Sequence, residues 1–421
     1  MSKTPAADAL KRADEHGAIR FGSPELRRLI DDIRNSAAAS AREGVNPYAA
    51  IDLVRKARLG ALRVPLTEGG GGCSVREFFL MLIDLAEAEP NIPHILRAHY
   101  WFVEERLRSG NPVERTRWIE RIVRGDIFGN GVTEIGGSAA VGAFILKTTL
   151  VPYGDDFVLN GRKYYCTGSL YSDWISVVAS TPEGKLASAV IPVDRAGVTL
   201  EDDWDGIGQR LTGSGTGIFD HVIVQADEVL HATVVKKEEG AAVEIPTEPY
   251  LVGQFCQLIL TAIIVGVLRS VVNDAVAMVR KRERTYTHAC AETAAADPQL
   301  QEIIGHIAST TFAAEAVVLA AADAQDDALA TVVAGVADLK LTHRASLLAA
   351  QAKVMIDKVA PHAATLLFDV GGSSAIKQSE NLDRHWRNIR TLSSHNPTPY
   401  KARAIGDYLV NGELLPQNGF F

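Results

Sequence analysis

Near one end the chain carries "DRHWRNIRTLSSHNP", Asp383 to Pro397, in which Arg384, His385, Arg387 and Arg390 surround Trp386 and the run closes on His395, Asn396 and Pro397. Imidazole is the side chain that takes up or releases a proton near neutral pH, so His395 is a candidate for proton handling. Its bland alternative is a loop cap before Pro397. Other side chains could do chemistry but read plainly on their own. His99, in "RAHYWFVEE", has the spacing of a core histidine on a helix; Asn130, beside Gly131, suits a turn. Tyr165 and Thr167, in "KYYCTG", would be a strand aromatic and a strand hydroxyl on one face by period-two alternation. Trp204 reads as packing, and Arg284, in "KRERTY", as part of a solvated charge run. No GxxxxGK[ST], HExxH or GxSxG motif occurs, and "GSGTG", Gly213 to Gly217, leads into a β run where a dinucleotide fingerprint would open a helix. Cys73, Cys166, Cys256 and Cys290 lack metal or disulfide spacing, so no metal site is expected.

The elements that must position these residues fall into three regions. With 421 residues, 47% of them hydrophobic, the chain can bury a large core. A net charge of -8 with both signs interspersed leaves no electrostatic footprint for nucleic acid or an anionic membrane. Residues 1–129 read as helices, with apolar positions three and four apart in "SPELRRLIDDIRNSAAASAREG", "YAAIDLVRKARLGAL" and "SVREFFLMLIDLAEAE", and a glycine loop at "VPLTEGGGGCS". Residues 130–245 turn β-rich, with hairpin turns at "YGDDF" and "PEGK". Residues 246–421 return to helices over Leu251 to Arg284, Pro298 to Ala324, Ala328 to Pro361 and a shorter piece. "LVGQFCQLILTAIIVGVL", Leu251 to Leu268, is long enough to span a bilayer, but Gln254, Gln257 and the helical continuation favour a buried bundle helix. No membrane span is expected. The charged N-terminal residues and dispersed cysteines point to the cytoplasm.

Five ordered blocks then carry a resemblance: "ALRVPLTEGGGG", "NGVTEIGGSAA", "FVLNGRKYYCTG", the stretch from "SAVIPVDRAG" through "DDWDGIGQRLTGSGTGIFDHVIV", and "LFDVGGSSA". They resemble the successive signatures of the acyl-CoA dehydrogenase superfamily over nearly the whole chain. Within it, "DDWDGIGQRLTGSG" and the Asp383–Pro397 run are most similar to the flavin-dependent monooxygenase branch typified by dibenzothiophene monooxygenase. The resemblance implies an α+β, mostly α fold: an N-terminal helical domain, a central β-barrel domain and a C-terminal four-helix bundle. It also implies a homotetramer, or a dimer, in which a neighbouring subunit completes the flavin site.

By the same resemblance His395 sits at the flavin edge where oxygen adds, with His99 and Asn130 as further pocket groups and Thr167 against flavin N5. Thr133, Tyr165, Trp204 and Ser214 wall the cofactor. Arg284 holds its phosphate from a neighbour, and Gly371 and Gly372 let backbone approach it. The cluster His385, Trp386, Arg387 and Arg390 buttresses the His395 loop. Two departures stand out: Leu392 replaces a second histidine of the dibenzothiophene enzymes, and "VVKKEEGAAVEIP", Val234 to Pro246, is its own substrate loop.

The function so implied is a two-component monooxygenase. Reduced FMN, supplied by a separate NAD(P)H-dependent flavin reductase, reacts with O2 through a C4a-hydroperoxyflavin to oxygenate a heteroatom, chiefly the sulfur of a small organosulfur compound. FAD is the other flavin the superfamily allows. The competing readings are an amine or amino-sugar N-hydroxylase, an acyl-CoA dehydrogenase with FAD whose base lies elsewhere, and a flavin-free scaffold. The dehydrogenase reading is weakened locally, because "TLSSHNP" contains no acid to abstract an α-proton.

Overall fold

The computed structural model describes residues 17–135, 146–231, 248–283, 285–333, 336–416 and 421, with the backbone alone for 37–43, 231, 248 and 249. Arg284 and the whole Val234–Pro246 segment lie outside the described residues.

Among the described residues six helices come first: α1 (Pro24–Glu43), α2 (Tyr48–Lys56), α3 (Val75–Ala88), α4 (Asn91–Ile95), α5 (Arg97–Leu107) and α6 (Pro112–Arg124). Their starts are written locally. Ser74 and Glu77 form a reciprocal capping box on α3, and Asn111 caps α6 ahead of Pro112 at its first position. α3 buries Val75, Phe78, Phe79, Leu82 and Leu85 in one large core that extends through the C-terminal helices.

Strands β1 (Phe128–Gly131), β2 (Thr149–Tyr153), β3 (Asp156–Lys163), β4 (Trp174–Ser180), β5 (Leu186–Pro192), β6 (Val198–Leu200), β7 (Gly217–Val224) and β8 (Val229–His231) follow. The barrel of the sequence expectation takes the form of one mixed sheet in the order β6-β7-β3-β2-β4-β5-β8, with β1 added parallel to β4. Among the described residues no pairing joins β6 to β8. Trp118, Phe102, Phe128 and Trp174 stack edge and face, binding α5 and α6 to β1 and β4.

The C-terminal region holds three long helices, α7 (Glu248–Lys281), α8 (Pro298–Leu329) and α9 (Leu339–Gly371), and two shorter ones, α10 (Asp383–Ser393) and α11 (Thr398–Asn411). The apolar run of α7 is wholly buried inside the chain, whereas α8 leaves most of its comparable stretch open. A break expected at Pro361 does not occur. α9 runs through it, because Ala360, Ala363, Ala364 and Leu367 are all buried in the core and that packing outweighs the one helical hydrogen bond proline forgoes.

One buried ion pair fixes the sheet edge beneath the expected cofactor residues. Lys163 at the end of β3 and Glu134 just past β1 meet at 2.7 Å with almost no exposed side-chain surface. The Glu134 carboxylate also accepts from the backbone N–H groups of Lys147 and Thr148. Burial alone would raise its pKa; the Lys163 ammonium and these donors overcome that and hold it down to about 2. Glu134→Gln should therefore lower stability by about 3 kcal/mol, because it strands the buried ammonium. Urea unfolding at neutral pH checks this; a change below about 0.5 kcal/mol would mean that the pair is dispensable.

Candidate functional site

The loop between β6 and β7 reaches across all three regions at Gln209. This residue is fully buried and sits in the left-handed region, φ 52°. Its N–H donates to Asn388 Oδ1 of α10 at 2.8 Å, and its carbonyl accepts from Trp204 Nε1 at 2.9 Å and Thr212 Oγ1 at 2.8 Å. Its Oε1 accepts from His94 Nδ1 of α4 at 3.0 Å. The neighbouring Gly208 lies so close to α10 that a Cβ there would stand 2.2 Å from the Arg387 carbonyl oxygen. Only glycine permits that approach.

From Gln209 two chains of contacts diverge. One is a hydroxyl relay: Thr212 Oγ1 to Ser214 Oγ at 2.7 Å, and Ser214 Oγ to Thr167 Oγ1 at 2.8 Å. Its direction follows from proton counting. Thr212 gives its only hydroxyl proton to the Gln209 carbonyl, so Ser214 must donate to Thr212 and Thr167 to Ser214. Thr167 is left with lone pairs and no proton to offer, so it can only accept from a ligand. Beside it Tyr165 is 56% exposed, its ring edge-on to Trp204 with centroids 6.1 Å apart.

The expected strand alternation fails at this point. β3 ends at Lys163, Tyr165 turns left-handed (φ 56°), and Thr167 N–H donates back to the Tyr165 carbonyl at 2.8 Å. This tight turn brings Tyr165 out into solvent and places Thr167 behind it. An open aromatic face, a neighbouring indole and an acceptor hydroxyl suit a planar heteroaromatic group carrying an N–H, which is what reduced flavin presents at N5. The residues present fit such a cofactor.

The second cluster centres on His395, which keeps solvent access and faces Arg97 of α5 and, through Asn396, Gln257 of α7. Asn396 donates through Nδ2 to Gln257 Oε1 at 2.6 Å, so its Oδ1 is turned to accept from His395 Nδ1–H at 2.9 Å. His395 Nε2 is thereby the acceptor nitrogen, and it faces Arg97 Nη1 at 3.5 Å. Dense surroundings, then the positive Arg97, then His94, lower the His395 pKa well below the usual imidazole value. The loop is held at both ends. Lys353 pairs with Asp357 at 2.6 Å and donates to the Ser393 carbonyl at 3.2 Å, while Thr398 Oγ1 donates to Asp357 at 2.5 Å.

The expected residues therefore divide. Tyr165, Thr167, Trp204, Ser214 and His395 are joined through Gln209 and its contacts. Asn130 lies next along β1, opposite Ser176 of β4, and Thr133 pairs with Tyr164 beside Tyr165. His99 does not join them. It has no exposed surface, accepts from Phe128 N–H at Nδ1 and presses Nε2 against Gly60, because its side of α5 faces the core. Gly371 and Gly372 lie at the far end of α9 against Met278, Ala375 and Tyr286. His385 and Arg384 share Asp274 of α7, each at 2.7 Å, and Arg387 donates to the Ile207 carbonyl. This pairing anchors α10 beneath the site. A separate open cleft of about 760 Å³ lies beyond it, lined by Asn91, Arg210, Asp274, Arg384 and Asn388, and no expected site residue borders it.

Sequence reading missed His94, Arg97, Gln209, Gln257 and Asn388. His94 and Arg97 share "PHILRAH" with His99, and helical spacing alone cannot say which of the three faces a ligand. The Gly-Gln pair inside "DGIGQR" was the available signal for the hub.

Comparison with known proteins bears on the fold and the family. Residues 129–222 match the acyl-CoA dehydrogenase middle domain, and residues 258–399 match the acyl-CoA dehydrogenase C-terminal domain. The chain is 27% identical over 401 residues to the probable FMNH2-dependent monooxygenase SfnC of Pseudomonas putida, covering 94% of this chain and 96% of that protein. It superposes on TdsC of Paenibacillus sp. A11-2 in complex with FMN and indole with a TM-score of 0.84 at 26% identity, covering 95% of this chain and 100% of the other. Methanesulfinate monooxygenase MsuC of Pseudomonas fluorescens gives a TM-score of 0.82 at 26% identity, with the same coverage of 95% and 100%.

Burial pushes His94 and His99 down to about 4 each. Between the usual imidazole value and that one, the unfolded chain binds protons that the folded chain does not, so stability falls as pH falls. Each histidine should remove about 2 kcal/mol between pH 7 and pH 5. Urea unfolding at the two pH values measures this, and His94→Gln should flatten the dependence by one histidine's share. An unchanged slope in that variant would show that His94 is protonated in the folded state.

Proposed function

The chain belongs to the acyl-CoA dehydrogenase superfamily, in its flavin-dependent monooxygenase branch, and from that premise we propose that it uses reduced FMN and dioxygen to oxygenate the sulfur of a small organosulfur compound. The observation that carries this reading is the chemistry around His395. Among the described residues no carboxylate is hydrogen-bonded or ion-paired to His94, Arg97, Gln209 or His395, so none is held there to abstract an α-proton from an acyl thioester. A neutral imidazole stands in its place, beside a fixed positive charge.

Reduced FMN, when bound, supplies two electrons to dioxygen, so that one oxygen atom goes to the sulfur and the other leaves as water. The remaining tasks fall to side chains. Tyr165 and Trp204 offer the ring its walls, with Thr133 and Asn130 at the β1 edge. Thr167, acceptor-only by its relay, holds an N–H and so favours the reduced over the oxidised flavin. His395 Nε2, kept unprotonated by burial and Arg97, takes up a proton as oxygen is reduced and returns it to the departing oxygen. Asn396 and Gln257 fix the tautomer that makes this nitrogen available.

A separate NAD(P)H-dependent flavin reductase supplies the reduced flavin in this reading, since "GSGTG" opens β7 and forms no dinucleotide turn. A homotetramer is supported by α8, which leaves much of its apolar length open, with Phe312 77% exposed. The cytoplasm suits the thiols, three of them buried and none paired.

Stopped-flow mixing of the protein–reduced FMN complex with oxygenated buffer tests the reading. The wild-type protein should return slowly to the oxidised flavin spectrum and convert a sulfide or sulfinate. His395→Ala should lose about 100-fold in product formation with FMN affinity retained. Bleaching of oxidised flavin by an acyl-CoA, without a reductase, would overturn it. Thr212→Val should free the relay to reverse and narrow the gap between reduced and oxidised FMN affinities about fivefold; an unaltered ratio would show that the relay does not sense the flavin.

A further inference from the structure

Arg97 is 92% buried, being 8% exposed, and no carboxylate pairs with it among the described residues. A guanidinium carries five N–H donors. Here Nε donates to the Cys256 carbonyl at 3.1 Å, and Nη1 lies 3.5 Å from His395 Nε2, too long for a strong hydrogen bond. The other donors have no described acceptor. The other buried arginines of α5 and its surroundings are treated differently: Arg63 and Arg108 both pair with Glu104 at 2.8 Å. A second donor is also stranded nearby. Gln209 Oε1 accepts from His94, and its Nε2, fully buried, has no partner among the described residues.

A buried charge without a counterion costs several kcal/mol, and an unsatisfied buried amide costs about 1–3 kcal/mol. Both defects border His94, which is hydrogen-bonded to Gln209 and feels the Arg97 charge, and the imidazoles of His94 and His395 are both held toward the neutral form. Lys353, behind the His395 loop, adds to the positive field. Among the described residues nothing supplies the negative charge that this arrangement lacks, which leaves it open to an anionic ligand.

We propose that Arg97, assisted by the Gln209 amide, is an anion clamp that selects substrates bearing negatively charged oxygens on the sulfur to be attacked. This deepens the monooxygenase reading and rests on it for the fate of the bound molecule. An alkanesulfinate fits the clamp's chemistry. Its two oxygens share one negative charge and match the planar fork of a guanidinium, while its sulfur keeps a lone pair for one more oxygen atom. A sulfonate offers the same charge but a sulfur with no lone pair, so it would bind as product. Neutral thioethers and thiophenes leave the guanidinium unpaired and are disfavoured.

The test is equilibrium binding to the flavin-free full-length protein by isothermal titration, with sodium methanesulfinate as probe and dimethyl sulfoxide as its neutral counterpart of similar size. The wild-type protein should prefer the sulfinate by at least about thirtyfold. Arg97→Gln should abolish that preference, and Arg97→Lys, which keeps the charge but loses the fork, should retain part of it. Equal wild-type affinity for the two probes overturns the clamp whether or not any variant folds. A preference that survives in a folded Arg97→Gln protein also overturns it. So does a loss confined to reduced FMN affinity with sulfinate binding intact, which would make the flavin the anion that Arg97 serves. If the wild-type protein binds sulfinate through Arg97 but never slows the reoxidation of reduced FMN, the clamp stands and the monooxygenase reading falls.

Discussion

The site depends on one residue held in a conformation that only neighbouring regions can enforce. Gln209 has the left-handed backbone that a side chain normally avoids, at a cost of about 1–3 kcal/mol. Four hydrogen bonds, each contributing about 1 kcal/mol, offset it, and they come from three parts of the chain: Asn388 from the C-terminal helices, His94 from the N-terminal helices, and Trp204 and Thr212 from its own loop. The strain is therefore stable only when all three regions are docked. Folding of the whole chain and assembly of the pocket become the same event.

From this hub the chemistry acquires direction. Because the Gln209 carbonyl takes the Thr212 proton, each hydroxyl in the relay has one possible orientation, and Thr167 ends as an acceptor. Because Gln257 takes the Asn396 amide protons, His395 has one available tautomer. Neither result depends on a charged group. The charge that is present, on Arg97, lies where it favours neutral His395. The ion pairs that fix the surroundings, Lys163 with Glu134, Lys353 with Asp357 and Asp274 with Arg384 and His385, stand behind the site and hold its walls.

Local readings succeeded where a local rule decides and failed where packing does. The helix start at Ser74, the hairpin turns and the β run after "GSGTG" follow from capping, glycine and alternation. Pro361 misled because buried alanines and Leu367 carry the helix through it. Tyr165 misled because alternation assumes a strand, and the strand ends two residues before it. His99 was read toward the pocket because the chain resembles a family with a histidine nearby, yet its side of α5 faces Phe128 and Gly60.

The sequence by itself determined the fold, through five ordered blocks, and with it the flavin chemistry; it also singled out His395, Thr167, Tyr165, Trp204 and Ser214. Those are matters of residue type in order along the chain. Tertiary structure alone decided which of His94, Arg97 and His99 meets His395, because three residues on consecutive turns differ only in the direction they face. It also decided that Arg97 has no acid partner among the described residues, since ion pairing is set by which distant segments come within about 4 Å, and no spacing in the chain encodes that.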